Sequence, residues 1–127
     1  MTSNCPFCQI VADESRDLLF DGEFFAAFYD KYPVNRGHAL LVPRQHLLTP
    51  AEIPADKGQN LIEALNELRN LLQERYDPDG FNIGLNEGEA AGQSIEHLHW
   101  HLIPRYRGDV EEPLGGVRGV IPEKQKY

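Results

Sequence analysis

Between residues 61 and 72, Leu61, Ile62, Leu65, Leu68, Leu71 and Leu72 return at steps of three and four, the spacing of one face of an α-helix. The pattern predicts a long helix over 55–76, stopped by Asp77-Pro78-Asp79-Gly80. Elsewhere the apolar positions fall in short runs or alternate, as in strands. LLFDGEFFAAFYD (18–30) reads as two strands joined at Asp21-Gly22, a hairpin dipeptide. GHALLVPR (37–44) is a third strand closed by Pro43, FNIGLNE (81–87) a fourth and SIEHLHWHLIP (94–104) a fifth. Short helices are expected at Cys5–Ala12, where Pro6 suits a first turn, and from Thr49-Pro50-Ala51-Glu52, a capping box. GEAAGQ (88–93) is a glycine-containing loop, and the tail GGVRGVIPEKQKY has no assignable element. Hairpin or meander, then helix, then two more strands describe an α+β fold. Its mostly antiparallel sheet of about five strands takes the helix on one face and leaves the other for chemistry.

Length and composition narrow this only modestly. The 127 residues hold no repeat, low-complexity tract or linker, so 1–127 is expected to be a single domain. A hydrophobic content of 41% is ordinary for a chain with a packed core. Twelve Lys and Arg against 20 Asp and Glu leave a net charge of −8, which argues against nonspecific nucleic-acid binding. A locally positive pocket for a small phosphate ligand remains compatible with it. No basic segment followed by an apolar one opens the sequence, and no apolar run reaches membrane-spanning length, so the expected place is the cytoplasm, with no membrane partner. Cys5 and Cys8 at CxxC spacing in that compartment suggest metal or redox chemistry rather than a structural disulfide.

The fifth strand raises the chemical question. His97, His99 and His101 alternate with Leu98, Trp100 and Leu102. On a strand the apolar three point into the core and the histidines share the other face, roughly 6.5–7 Å apart. Three readings follow: a solvated polar face, a metal tripod, or phosphoryl chemistry in which one imidazole attacks phosphorus and its neighbours hold oxygens. Gly92-Gln93-Ser94, just ahead of them, offers backbone N–H groups, an amide and a hydroxyl, the donors a developing phosphorane needs. That favours the third reading.

His97-Leu98-His99-Trp100-His101-Leu102-Ile103 resembles the signature of the histidine triad (HIT) family. Asp30-Lys31-Tyr32-Pro33-Val34, Gly37-His38-Ala39-Leu40-Leu41-Val42-Pro43 and Asn86-Glu87-Gly88 through Ala91-Gly92-Gln93-Ser94 follow that family's order and spacing, so the likeness runs from Cys5 to Arg105. The tail is more like bacterial and archaeal relatives of the dinucleoside-polyphosphate-cleaving branch than the phosphoramidase branch. The resemblance implies a HIT-like fold and a nucleotide hydrolase or transferase working through a covalent nucleotidyl-histidine. His99 would be the nucleophile at the α-phosphorus, its far nitrogen held by an acceptor such as a main-chain carbonyl. His101, Ser94, Gln93, Gly92 and Asn86 would bind phosphate, Asp30 the ribose diol, and His38 would stand beside the triad. For Asp30 and Asn86 an ordinary turn or loop role explains the residue as well, and for His38 a half-buried structural histidine does. Arg44, Arg105 and Arg107 could meet phosphates, although surface arginine is the commoner explanation. The family's habit also suggests a two-fold homodimer and AMP-containing substrates, with Mg²⁺ a companion to any polyphosphate.

Cys5-Pro6-Phe7-Cys8 resembles a glutaredoxin active site, but a thioredoxin-like fold needs a strand before its CxxC, and four residues are too few. Two thiolates form half of a tetrahedral zinc site. In histidine triad relatives with such a CxxC the remaining ligands match His46 and His97, which implies one structural zinc per chain on Cys5, Cys8, His46 and His97. Two reduced cysteines without metal are the plainer alternative. Three functions therefore stand side by side: a nucleotidyl hydrolase or transferase, a nucleotide-binding regulatory protein with vestigial catalysis, and a zinc hydrolase with the triad as ligands.

Overall fold

The long apolar stripe does form a helix against a sheet. The computed structural model describes residues 4–127. Two α-helices, α1 (Pro6–Ala12) and α2 (Gly58–Tyr76), accompany five strands: β1 (Phe20–Asp21), β2 (Phe25–Tyr29), β3 (Ala39–Pro43), β4 (Gly80–Leu85) and β5 (Trp100–Arg105). The strand order is β1-β2-β3-β5-β4 and every pairing is antiparallel.

The core of the α2 face joins Phe25, Ala27, Ala39, Leu41, Leu98, Trp100 and Leu102 of the sheet side to Ala64, Leu68 and Leu72 of the helix. Leu61, Leu65 and Leu71 pack at its margin. Ile62, expected in the stripe, is 57% exposed. At 100° per residue it lies outside the arc centred on Leu68, and Ala64, overlooked for its size, occupies the stripe instead. The helix also starts later than 55, because Ala55–Lys57 winds as a 3₁₀ turn before Gly58. Its end is as expected: Asp77 takes the left-handed conformation at φ 48° and Pro78 follows. The capping box at Thr49 opens only a 3₁₀ turn, Pro50–Glu52.

The second face carries a smaller core of Cys5, Phe7, Phe28, Leu40 and Val42, roofed by α1. Leu40 of β3 opposes His101 of β5, and opposed residues share a face. His38 has the parity of Leu40, and the Asp30 amide donates to the His38 carbonyl at 3.0 Å. So Asp30, His38 and His101 meet on the same face beyond the edge of α1.

The fifth strand is shorter than expected. Ladder pairing begins at Trp100, opposite Leu41 and Leu85, and residues 94–99 are irregular. The in–out alternation nevertheless persists upstream: Leu98 is fully buried in the α2 core, its amide bonded to the Leu47 carbonyl at 2.7 Å, while His97 and His99 turn toward α1. The 88–93 loop contains a 3₁₀ turn (Glu89–Ala91), and the tail forms two more, Gly116–Val120 and Pro122–Lys124. Among the described residues no helix is long and apolar enough to cross a membrane.

Candidate active site and metal cluster

The three histidines of the run separate into three environments. His97 is fully buried. Its Nε2–H donates to the Pro43 carbonyl at 2.8 Å, and since a carbonyl only accepts, Nδ1 is left with its lone pair. That nitrogen lies 3.3 Å from Cys5 Sγ and 3.4 Å from Cys8 Sγ, and Cys8 Sγ lies 3.2 Å from His46 Nδ1. All four ligand atoms are within 4.8 Å of one another. Tetrahedral zinc with ordinary Zn–N and Zn–S bonds spaces its ligands about 3.3–3.8 Å apart, so the donor set fits such an ion. The Pro43 carbonyl is the outer partner that fixes a metal-ligating imidazole. Burial, and then the hydrogen bond and charge of Cys5, push the Cys8 thiol up to about 11, so a cation here displaces protons on binding. Cys5 caps α1, its Sγ accepting from the Cys8 amide at 3.3 Å.

His99 is 6% exposed. Its Nδ1–H donates to the His97 carbonyl at 2.8 Å, which in the neutral ring leaves the lone pair on Nε2. That carbonyl is available because residue 97 stands outside the sheet ladder. The main-chain acceptor expected from the sequence is thus present and identified.

His101 belongs to another group. The Val34 amide donates to His38 Nδ1 at 3.1 Å, so the neutral His38 ring carries its proton on Nε2, which sits 2.9 Å from His101 Nδ1 and 3.4 Å from Asp30 Oδ2. His101 Nδ1 therefore accepts, and its own proton is on Nε2. Asp30, His38 and His101 are close enough to suggest a cation site, yet the Val34 amide fills the nitrogen that would have to be protonated to free His38 Nε2. The trio is a hydrogen-bond relay. Burial, followed by the charges of His99 and His38, lowers His101 to about 4 against the pull of Asp30. Burial also lowers His38. Both rings are neutral near pH 7. The residue opposite His101 on β4 is Gly84, and the space a Cβ would enter there is open.

The tripod of His97, His99 and His101 is thus not assembled: His97 faces the thiols, His101 faces His38, and His99 joins neither group. Asp30 does play the turn role considered for it, Oδ1 accepting from the Tyr32 amide at 2.8 Å, while its other oxygen serves the relay. Gln93 is occupied within its loop, Oε1 accepting from the Gly88 amide at 2.9 Å and Nε2 donating to the Ile95 carbonyl at 3.2 Å. Gly92 is left-handed at φ 93°, with the Asn86 amide beside it, and Ser94 is exposed. Among the described residues no hydrogen bond ties Asn86, Gln93 or Ser94 to an imidazole. Each of the three arginines has an acidic side chain nearby: Arg44 holds Asp21 and the carbonyls of Gly22 and Val11, Arg105 pairs with Asp109, and the exposed Arg107 lies near Asp79. Residue types alone missed Val34, whose contribution is a backbone amide, and Phe7, whose ring lies against both His97 and His99. A cleft of about 490 Å³ around Arg105 and Asp109 contains none of these histidines.

A HIT domain model matches residues 12–108. The chain belongs to the HIT domain family. It is 39% identical over 118 residues to an uncharacterized HIT-like protein of Methanocaldococcus jannaschii, covering 91% of each. It is 32% identical over 123 residues to a Mycobacterium tuberculosis protein named AP-4-A phosphorylase, covering 93% of this chain and 63% of that one. A crystal structure of a Zn-bound histidine triad family protein from Mycobacterium smegmatis superposes with a TM-score of 0.75 at 30% identity, over 86% of this chain and 80% of that one. This HIT family includes nucleotide-processing enzymes, and the chain has the HIT-like fold.

Proposed function

We propose that the protein is a nucleotidyl hydrolase or transferase that attacks the α-phosphate of nucleoside 5′-phosphoryl substrates, such as dinucleoside polyphosphates or nucleoside phosphoramidates. The observation that carries this reading is the 2.8 Å hydrogen bond from His99 Nδ1–H to the His97 carbonyl. It holds the one tautomer that can attack through Nε2 at neutral pH.

In the first step a bond forms between His99 Nε2 and phosphorus. The bond to the leaving group breaks, and its electron pair departs with that group. His101 Nε2–H donates a hydrogen bond to a phosphate or leaving oxygen as charge develops and keeps its proton, while the contact between His38 Nε2–H and His101 Nδ1 holds the ring in that orientation. The positive charge gained by the His99 ring is offset by the His97 carbonyl that accepts its Nδ1–H, and the leaving group takes its proton from water. In the second step water cleaves the P–N bond, the pair returns to Nε2, and the proton that water loses passes to solvent. Asn86, Gly92, Gln93 and Ser94 supply further donors to phosphate in this reading. Gly84 leaves open floor beside His101 for the substrate. The likeness to a protein named AP-4-A phosphorylase supports the dinucleoside-polyphosphate end of the substrate class.

The thiolate–imidazole cluster is read as a structural zinc site, supported by its ligand spacing and by the Zn-bound neighbour. A zinc ion there would tie α1 to the irregular stretch that leads into β5 and carries His97. The open edge of β4 and exposed Ile83 support a two-fold homodimer, which sedimentation equilibrium tests.

The deciding experiment incubates the protein with a dinucleoside polyphosphate and a nucleoside phosphoramidate, quenches at neutral pH, and locates the bound nucleotide by mass spectrometry. Label on His99, and turnover reduced by about 10³ or more in His99→Asn with the fold kept, is the expected result. Undiminished turnover in that variant, or label elsewhere, ends the proposal.

A further inference from the structure

The loop between β2 and β3 closes on its own last residue. The Val34 amide donates to His38 Nδ1 at 3.1 Å, and the His38 amide donates to the Asn35 carbonyl at 3.1 Å. Residues 34–38 thus wrap the His38 ring, and the wrap is fixed in place by the segment that follows β5. Asn35 Nδ2 gives one proton to the Pro104 carbonyl at 3.0 Å and the other to Asp109 Oδ2 at 2.8 Å. A carbonyl and a carboxylate only accept, which settles the orientation of the amide. The Tyr106 hydroxyl donates to the Arg36 carbonyl at 2.8 Å, and the Arg36 guanidinium lies 5.6 Å and 5.8 Å from the ring centroids of Tyr76 and Tyr106. Gly37 is left-handed at φ 91°, and a Cβ there would come within 2.8 Å of the Tyr76 ring, so the loop rests on that ring without slack.

Asp109 is itself held. Its oxygens accept from Arg105 Nε at 2.7 Å and Nη2 at 2.8 Å, a bidentate pair, and Oδ2 also accepts from the Tyr106 amide at 3.0 Å. The Arg105 hydrogen bond, then that of the Tyr106 amide, keeps its carboxyl far below the usual carboxylate range, so it offers Asn35 an ionised acceptor at any working pH. Arg105 stands four residues beyond His101 on β5, about 13 Å along the strand. The carboxylate therefore acts on the histidine pair through the loop.

We infer that Asn35 and Asp109 are positioning residues for the His38–His101 pair, holding the loop so that the Val34 amide stays on His38 Nδ1. The inference rests on the reading in which His101 Nε2–H meets the phosphate. With the amide in place, His38 cannot take a proton on Nδ1, and its Nε2–H stays aimed at His101 Nδ1. With the amide displaced, Nδ1 opens to water and to a second proton, and the ring is free to swing. The titratable groups facing His38 are Asp30 at the end of β2 and His101 on β5. Burial keeps His38 low and Asp30 pulls it up, so losing the amide hydrogen lets Asp30 prevail at a higher pH. Misplacing a group that serves the transition state costs rate steeply, about a hundredfold for 1 Å. A loosened loop therefore lowers kcat and leaves KM nearly untouched.

The test compares Asn35→Ala, Asn35→Asp, Asp109→Ala and Leu61→Ala with the unaltered protein. Leu61 sits at the margin of the α2 core, at the far end of α2 from Tyr76, so its truncation lowers stability without touching the loop. Two readouts are taken: kcat and KM separately, and a ¹⁵N titration of the His38 ring. Asn35→Ala should lower kcat by about three- to thirtyfold, keep KM within about twofold, and raise the His38 midpoint by about 0.5–1 pH unit. Asn35→Asp sets an acceptor against two acceptors and should do more in both readouts. Asp109→Ala should move both in the same direction, and joined to Asn35→Ala it should add little, since the two act as one link. Leu61→Ala should keep the parental kcat and titration. Should Asp109→Ala not fold, the two Asn35 variants still decide the matter. A parental His38 titration in the Asn35 variants overturns the inference, as does an equal change in Leu61→Ala. A KM that rises as far as kcat falls also overturns it, because the loop would then meet the substrate directly. If His99→Asn turns over substrate, it is the functional reading that has failed, and the His38 titration still reports whether Asn35 and Asp109 hold the amide.

Discussion

Two groups of histidine-containing side chains flank His99, and they differ in what each leaves between its nitrogens. In the Cys5–Cys8–His46–His97 group the Pro43 carbonyl takes the proton of His97, so a bare nitrogen and two sulfurs converge on a point with room for an ion. In the Asp30–His38–His101 group the Val34 amide occupies the other nitrogen of His38, so a proton already lies between the two rings. Residue types would pair the two groups as metal sites. One backbone acceptor and one backbone donor separate them into a group that could hold a cation and a group that holds a proton.

The largest effect that sharpens this contrast is in acid. The folded state holds His101 at about 4, mainly by burial, against an unfolded value near 6.5. The unfolded chain therefore binds the proton first as pH falls. The contribution of His101 is complete above about pH 6.5 and is lost as pH drops to about 4, at a cost of about 3 kcal/mol. Denaturant titrations of the parent and of His101→Asn across pH 7 to 4 should show a shallower loss in the variant. Parallel curves would mean that the ring is not held neutral by its surroundings.

Next come the reciprocal substitutions. His38→Asn should reduce kcat roughly ten- to a hundredfold while metal per chain is unchanged, read by kinetics and elemental analysis together. Cys8→Ser should do the reverse in composition: zinc is lost, and so is the stabilisation that free zinc at about a hundred times its dissociation constant gives the folded state, about 2.7 kcal/mol. Thermal unfolding with and without chelator measures it. Zinc lost in His38→Asn would collapse the distinction. The smallest effect sets the scale: Ile62→Gln, on the exposed side of α2 and remote from both groups, should move stability by no more than about 0.5 kcal/mol and neither metal nor turnover.

Much of this arrangement is legible from residue order. The α2 stripe apart from Ile62, a hairpin whose turn runs over Gly22–Phe24 with Asp21 still in β1, the stop at Asp77-Pro78 and the alternation through Leu98, Trp100 and Leu102 all act locally, and each appears at or close to where the pattern places it. The gathering of Cys5 and Cys8 with His46 and His97 was legible only through resemblance, because 38 to 92 residues separate the partners in contact. What stayed hidden was the work of the backbone. Pro43 and His97 serve through carbonyls and Val34 through an amide, and any residue type but proline offers an amide. Gln93 shows the opposite: its amide suits phosphate, but it also suits the loop that carries it, where Oε1 accepts from the Gly88 amide and one Nε2–H goes to the Ile95 carbonyl, which leaves its second N–H. Ile62 shows that a list of apolar residues is not yet a face.

The late start of β5 at Trp100 limits how this protein can be strengthened. Regular pairing stretched back to Ser94 would look like an improvement to anyone optimising the sheet, adding main-chain bonds to an unladdered stretch. It would also hand the oxygen of residue 97 to a neighbouring strand, and the imidazole two positions on would have nothing to lean on. In this stretch the irregularity is what frees the His97 carbonyl for His99, so thermostable variants should be sought in α2 and the far strands, with residues 94–99 left untidied.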